Sequence, residues 1–482
     1  MKALRWLGIF LLVSLALPGL VLAQSWSHLT NTAPFNAGVA LLLTDGRVLV
    51  HAEQDAPTQW YTLTPDNHGS YINGTWKQVA SFPSNYGPVY FSSAVLPDGR
   101  VLAEGGEYNN GAQDWTNLGA IYDPKADTWT KVNPPSNMSN IGDAQSVILP
   151  NGTYMQADAI QTVTDFFNPS NLSWSPAGVS GKADGFDEEG WTLLPNGNVL
   201  TVDCNQSDLK HSELYITKNN NWISGGEVPV ILADAGSHEI GPAVLRPDGT
   251  VFYSGASGHT AVYNSSTGAW TAGPDFGSGN DVADGPGALE INGKVLVMTS
   301  PGVFQQNSTF YEWDGTNLSK ITGPPNASAD SSFYGHFLEL PTGQLLFTDF
   351  SSDVEIFTPT GSAKPAWKPV ITGGGSGTQL VNISRGSTYT LKGKQLNGLS
   401  QGAAYGDDYQ MATNYPLVVI RNLATGHIFF AKTHDFSTMA VATGNAIVST
   451  KLDVPTNAET GASHLTVITN GIRSNPVNVT VQ

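Results

Sequence analysis

The chain has 482 residues, 40% of them apolar and 10% aromatic, enough for packed cores and for more than one domain. Its 40 Asp and Glu against 22 Lys and Arg leave a net charge of −18, which argues against nucleic acid or an anionic membrane as partner and favours a cation, a metal or a neutral polymer. One cysteine, Cys204, excludes an intramolecular disulfide, so stability must come from packing.

In chain order, residues 1–23 carry Lys2 and Arg5, an apolar run from Leu7 to Leu22 and a small residue, Ala23, at the expected cleavage position. They read as an export signal, so a secreted protein is expected. No later apolar stretch is long enough to span a bilayer, and membrane insertion after signal removal is not expected. Sequons at Asn73, Asn137 and Asn307 arise readily in an Asn-rich β protein and matter only if the host glycosylates.

From residue 24 to about 372 a hairpin signature returns seven times: apolar residues, a tight turn ending in Gly, then an apolar strand. AVLPDGRVLAEGG at 94–106 is its clearest copy. The turn glycines are Gly46, Gly99, Gly152, Gly197, Gly249, Gly293 and Gly343, at intervals of 53, 53, 45, 52, 44 and 50 residues. That period suits a propeller blade, and Asp-Gly or Asn-Gly suits a two-residue hairpin. Each repeat continues with a third strand bearing an aromatic (Tyr61, Tyr122, Phe167, Tyr215, Tyr263, Tyr311, Phe357). A fourth strand follows with Trp76, Trp129, Trp174, Trp222, Trp270 or Trp367, the sixth repeat having Leu318–Ile321 instead. Seven four-stranded blades are expected, with Trp26 in SWSHL at 25–29 as a candidate closing strand. A closed ring needs no partner to protect its edges, so a monomer is expected.

Residues 373–377, Gly-Gly-Gly-Ser-Gly, read as a flexible joint. Beyond it, 378–482 alternate apolar and polar residues over short strands and read as an immunoglobulin-like β-sandwich. Two of its loops, 403–416 and 432–444, are too polar and aromatic to be mere connectors. Within the first, Asp407 and Asp408 read as turn residues. Tyr405, Tyr409 and Tyr415 suit either interdomain packing or a sugar-stacking platform.

A kelch-type seven-bladed propeller followed by such a domain resembles the galactose oxidase and glyoxal oxidase family of copper-radical oxidases. The resemblance implies a copper site on the propeller axis, with a loop of the C-terminal domain threading the channel to deliver a histidine. It also implies a cysteine cross-linked to a tyrosine and an adjacent Tyr-His pair. Counted from the hairpin glycines, those positions hold Tyr90, Asp143 and Phe333-Tyr334, and only His434 matches the family's pattern. With the cross-link and one imidazole missing, copper-radical chemistry is not expected, since copper favours imidazole and soft donors.

The same count exposes another pattern. Nine residues before the turn glycine stand Asp143, Glu188 and Asp284, and Glu239 is equivalent where Arg246 lengthens the turn. Asp187, Glu189 and His238 flank them, and Tyr90, Tyr334 and His336 come from neighbouring blades. If this level is the mouth of the propeller, the four carboxylates form a ring that recruits a cation or raises its own pKa values. Calcium suits oxygen ligands alone, whereas zinc or manganese could also use His238, His336 or His434. Two of the carboxylates could otherwise act as acid and base on a glycosidic or uronate substrate, with Tyr90, Tyr334 and Tyr409 as substrate-binding rings. The competing structural role is the capping of strand entries by accepting loop N–H groups. An exported protein that binds or acts on carbohydrate is the expected function; an altered copper oxidase and a non-catalytic adhesive propeller are the alternatives.

Overall fold

The computed structural model describes residues 24–374 and 380–482; the expected signal at 1–23 and residues 375–377 of the expected joint lie outside them. Apart from three one-turn 3-10 segments, the described residues are all-β and build a seven-bladed propeller followed by a β-sandwich. No helix among them is long and apolar enough to cross a membrane.

The seven turn glycines all sit in the left-handed region, with φ between +80° and +90°. The turn is one residue longer than expected. Gly46 N–H donates to Leu43 O at 2.9 Å and Leu43 N–H to Arg47 O at 2.8 Å. Three residues therefore cross between the strands, and the left-handed glycine closes the turn. Blade five makes the same bonds through Arg246, Gly249 and Thr250, so Arg246 does not lengthen the turn as expected; the extra residue lies between Glu239 and the strand Ala243–Leu245.

Blades two to five set the third-strand aromatic opposite the fourth-strand Trp: Tyr122 with Trp129, Phe167 with Trp174, Tyr215 with Trp222 and Tyr263 with Trp270. In blade one Trp76 faces Leu63 and Tyr61 faces Gln78, and in blade six Tyr311 faces Lys320. Blade seven takes its outer strand from the N-terminus. Ser25–His28 pairs with Glu355–Thr358, placing Trp26 opposite Phe357. Trp367 is therefore not a blade residue: it lies in the 3-10 turn Pro365–Trp367, because the outer position of blade seven is already filled.

The sandwich begins earlier than expected. Val370–Gly374 pairs with Thr388–Lys394, so Gly373 and Gly374 of the expected joint belong to a strand of the second domain. Its core comprises Leu391, Val418, Ile420, Leu465 and Val467, among others. The sandwich docks on the hairpin-turn end of the propeller. Thr433 N–H donates to Thr44 O at 3.1 Å, Phe436 N–H to Pro97 O at 3.3 Å and Met439 N–H to Pro150 O at 3.0 Å.

From that end the segment 400–415 enters the propeller and touches the innermost strand of every blade. Tyr415 donates to Leu42 O in blade one, and the segment borders one small cavity together with Val95 and Val147 in blades two and three. Gln401 accepts from Leu193 N–H in blade four, and Ala404 lies against Val244 in blade five. Ala403–Ala404 adds a strand to Gly287–Leu289 in blade six, and Thr413 donates to Glu339 in blade seven. Contact with all seven inner strands places the segment on the axis.

Candidate functional site

Each innermost strand is entered at the end opposite the hairpin turns. Five consecutive blades place a left-handed residue there: Tyr90 (φ 52°), Gly142 (58°), Glu188 (61°), His238 (69°) and Asp284 (50°). For four of these, with a side chain, the conformation is costly and persists only where the surrounding structure enforces it. These entries bring Tyr90, Asp143, Glu188, Glu239 and Asp284 to the wall of one cavity of about 330 Å³.

Glu107, Tyr108 and Trp115 join them from the long connection between the second and third strands of blade two, and Phe304 from the same connection in blade six. Phe333 precedes blade seven, and Asp407 and Asp408 stand on the axial segment. Seven carboxylates thus line the cavity together with five aromatic rings and no Lys, Arg or His.

Glu188, Glu239 and Asp284 each present an oxygen within 4.8 Å of the others. At that separation each pair of ionised carboxylates repels by roughly 3–4 kcal/mol in a partly screened site. Burial is the first cause that pushes Glu188 far above the ordinary carboxylate range, followed by Asp407 and Asp284; Glu239 rises through burial, Asp284 and Glu188. Asp143, Asp407 and Asp408 are raised likewise, by burial and then by neighbouring acids, and burial pushes Asp284 up to about 7. Asp143 Oδ1, Glu239 Oε2, Asp284 Oδ1 and Asp407 Oδ2 have no hydrogen-bond partner. Asp143, Glu239 and Asp407 are less than one-tenth exposed, so burial leaves these oxygens without solvent as a partner. Such a set either takes up protons or holds a cation.

The other expected site residues lie elsewhere. His434 cannot reach the mouth because its strand docks at the hairpin-turn end; its Nε2 stands 3.3 Å from Asp453 and its Nδ1 3.4 Å from Asp435. The segment that does thread the channel brings Asp407 and Asp408 to the cavity instead of a histidine, and Asp408 Oδ1 also accepts from Tyr409 N–H at 2.7 Å, the local hydrogen bonding expected of it. His238 turns its Nδ1 to Cys204 O at 2.8 Å, and the Cys204 thiol bonds Glu188 O at 3.0 Å. His238 and Cys204 therefore brace the ring from behind. His336 is buried, stacked on Tyr405 and edge-on to Tyr409, outside the cavity wall. Tyr334 packs on Phe333 and Phe350, and Phe333 takes the place at the cavity. Tyr409 is fully buried and cannot bind substrate: it donates to Glu53 Oε1 and accepts from Tyr90 N–H at 2.9 Å. Glu189 points away, paired with Lys182 Nζ at 2.8 Å in a buried cluster with Asp184, Asp203 and Glu213.

Glu107, Tyr108, Trp115 and Phe304 are missed by a count restricted to strand entries, which does reach Phe333. The 14 residues between Glu104 and Gly119 are the signal, a longer connection than the five residues between Ser254 and Thr260 in blade five.

No protein-family model matches this sequence, and no curated protein matches it either. Solved structures do. A fungal alcohol oxidase of the AA5 family, in complex with copper, aligns over 95% of this chain and 100% of its own at a TM-score of 0.54 and 13% identity. A streptogramin B lyase aligns over 70% of this chain and 98% of its own, with a TM-score of 0.50 and 10% identity. Virginiamycin B lyase from Staphylococcus aureus aligns over 70% and 99%, with a TM-score of 0.50 and 9% identity. At these identities the likeness is one of fold, and the first covers both domains.

Proposed function

We propose that this is an exported protein that holds a hard divalent cation, calcium or manganese, at the propeller mouth and uses it to bind a carbohydrate or related extracellular ligand. The observation that supports the cation is the set of seven carboxylates without a basic side chain, several with oxygens that nothing satisfies. An all-oxygen set suits calcium or manganese better than zinc, which favours the imidazoles that stay out of the cavity. A sugar's vicinal hydroxyls or a uronate carboxylate would complete the cation's shell. Tyr90, Tyr108, Trp115, Phe304 and Phe333 supply apolar faces for the ring. Export rests on residues 1–23.

The copper of the fungal oxidase does not fit this donor set. Tyr90 is the lone phenol at the inner level, Asp143 stands where the cross-linked tyrosine would be, and no imidazole or thiol lines the cavity. Copper-loaded protein is expected to release no peroxide from primary alcohols or aldehydes.

A glycan array probed with calcium and again with EDTA tests the proposal. Binding to a defined set of glycans is expected with calcium and its loss with EDTA, and Asp143→Asn combined with Glu239→Gln should abolish it. Glycan binding indifferent to EDTA and to those substitutions would remove the cation from the account; no binding under either condition would remove the carbohydrate.

A further inference from the structure

A second group of metal-ligating side chains lies far from the mouth, at the seam where the propeller ring closes. His28, on the N-terminal strand, is the direct cross-strand partner of Glu355 on the third strand of blade seven. Asp353 comes two residues before Glu355. His28 Nδ1 is 2.7 Å from Asp353 Oδ1 and 4.0 Å from Glu355 Oε1, and one ligand atom from each residue lies within 4.8 Å of the other two.

Glu355 makes this more than a surface ion pair. Its side chain is 1% exposed, and neither carboxylate oxygen has a hydrogen-bond partner. His28 at 4.0 Å is too distant to supply one. The charged groups that act on Glu355 are Asp349, Asp353 and Asp330, all acidic. A buried carboxylate among acids, with no donor, either keeps its proton or takes a counter-charge. Asp353 is oriented for the same purpose: its Oδ2 accepts from Asn326 Nδ2 at 2.6 Å, leaving Oδ1 toward His28.

We propose that His28, Asp353 and Glu355 form a zinc site that staples the N-terminal strand to blade seven. One imidazole nitrogen and two carboxylates are a zinc donor set, with solvent as the fourth ligand on the half-exposed His28 side. The site differs from the mouth in donors and in consequence. The mouth would take a hard cation for a ligand, whereas this one would lock the ring at its single non-covalent closure, between strands at opposite ends of the propeller sequence.

The test uses the full mature chain carrying Glu188→Gln, Glu239→Gln and Asp284→Asn, which removes the close carboxylate cluster of the mouth. After metal removal it is dialysed against zinc chloride. One zinc per chain is expected, together with slower amide hydrogen exchange over residues 25–28. Adding His28→Ala, a change at a half-exposed residue that the fold tolerates, should weaken zinc binding at least about tenfold and remove the exchange protection. Glu355→Gln should do the same. The proposal is overturned if the mouth-disabled protein binds no zinc, or if zinc binding and exchange protection survive His28→Ala.

Discussion

Replacing Glu188, Glu239 and Asp284 together by Gln, Gln and Asn is expected to change stability in opposite directions with and without calcium. The three carboxylates stand within 4.8 Å of one another. Their folded-state pKa values are raised, so the native state holds protons that the unfolded chain has released. Stability of the metal-free protein is therefore full below the ordinary carboxylate range and falls as pH rises toward 7, where Asp284 titrates, and beyond. Neutral isosteres remove that penalty, and at pH 8 the metal-free triple variant should exceed the metal-free wild type by a few kcal/mol, roughly the repulsion relieved. Calcium should raise the melting temperature of the wild type more at pH 8 than at pH 5, because protons compete for the same oxygens, and should leave the triple variant unmoved. If the acids served to cap strand entries, the variant would be destabilised without metal at both pH values.

Tyr409→Ala is expected to be the most damaging single change on the axis. The ring is fully buried against Phe91, Tyr405 and His336, and truncation should cost about 3–5 kcal/mol in denaturant unfolding. The hydroxyl has its own share. Burial raises Glu53, but His51, His336 and the Tyr409 hydroxyl outweigh it and hold Glu53 below the ordinary range, an ionised group with no exposure. Tyr409→Phe removes one donor and should cost about 1–3 kcal/mol. Because Tyr409 follows Asp408 directly and accepts from Tyr90 N–H, both variants should also weaken calcium binding at the mouth. Loss of stability with calcium affinity unchanged would show that the axial segment is a plug and no part of the site.

What the sequence makes legible follows from the range of each interaction. The blades are visible because a glycine at φ near +80° and its flanking apolar strands are local requirements that repeat. The turn also serves as a ruler, since nine residues separate Asp143, Glu188 and Asp284 from their turn glycines and ten separate Glu239 from Gly249. Asp143, Glu188, Glu239 and Asp284 can thus be aligned without knowing that they share a cavity. Trp367 misleads because blade seven takes its outer strand from Ser25–His28, a pairing that local order does not encode. Asp407 and Asp408 stand in a loop whose composition is plainly unusual. Their role depends on contacts with seven separate strands, none near in sequence. His434 has the residue type of a ligand but not the height: nothing local says that its strand docks at the turn end and that 400–415 rises in its place.

The most direct measurement of the central claim is anomalous diffraction from a crystal soaked in manganese. A peak is expected in the mouth with oxygens of Glu188, Glu239 and Asp284 at roughly 2.1–2.6 Å, and it should vanish in the triple variant. A mouth without anomalous signal, in a crystal whose other sites take up the metal, would contradict the assignment of the carboxylate ring to cation binding.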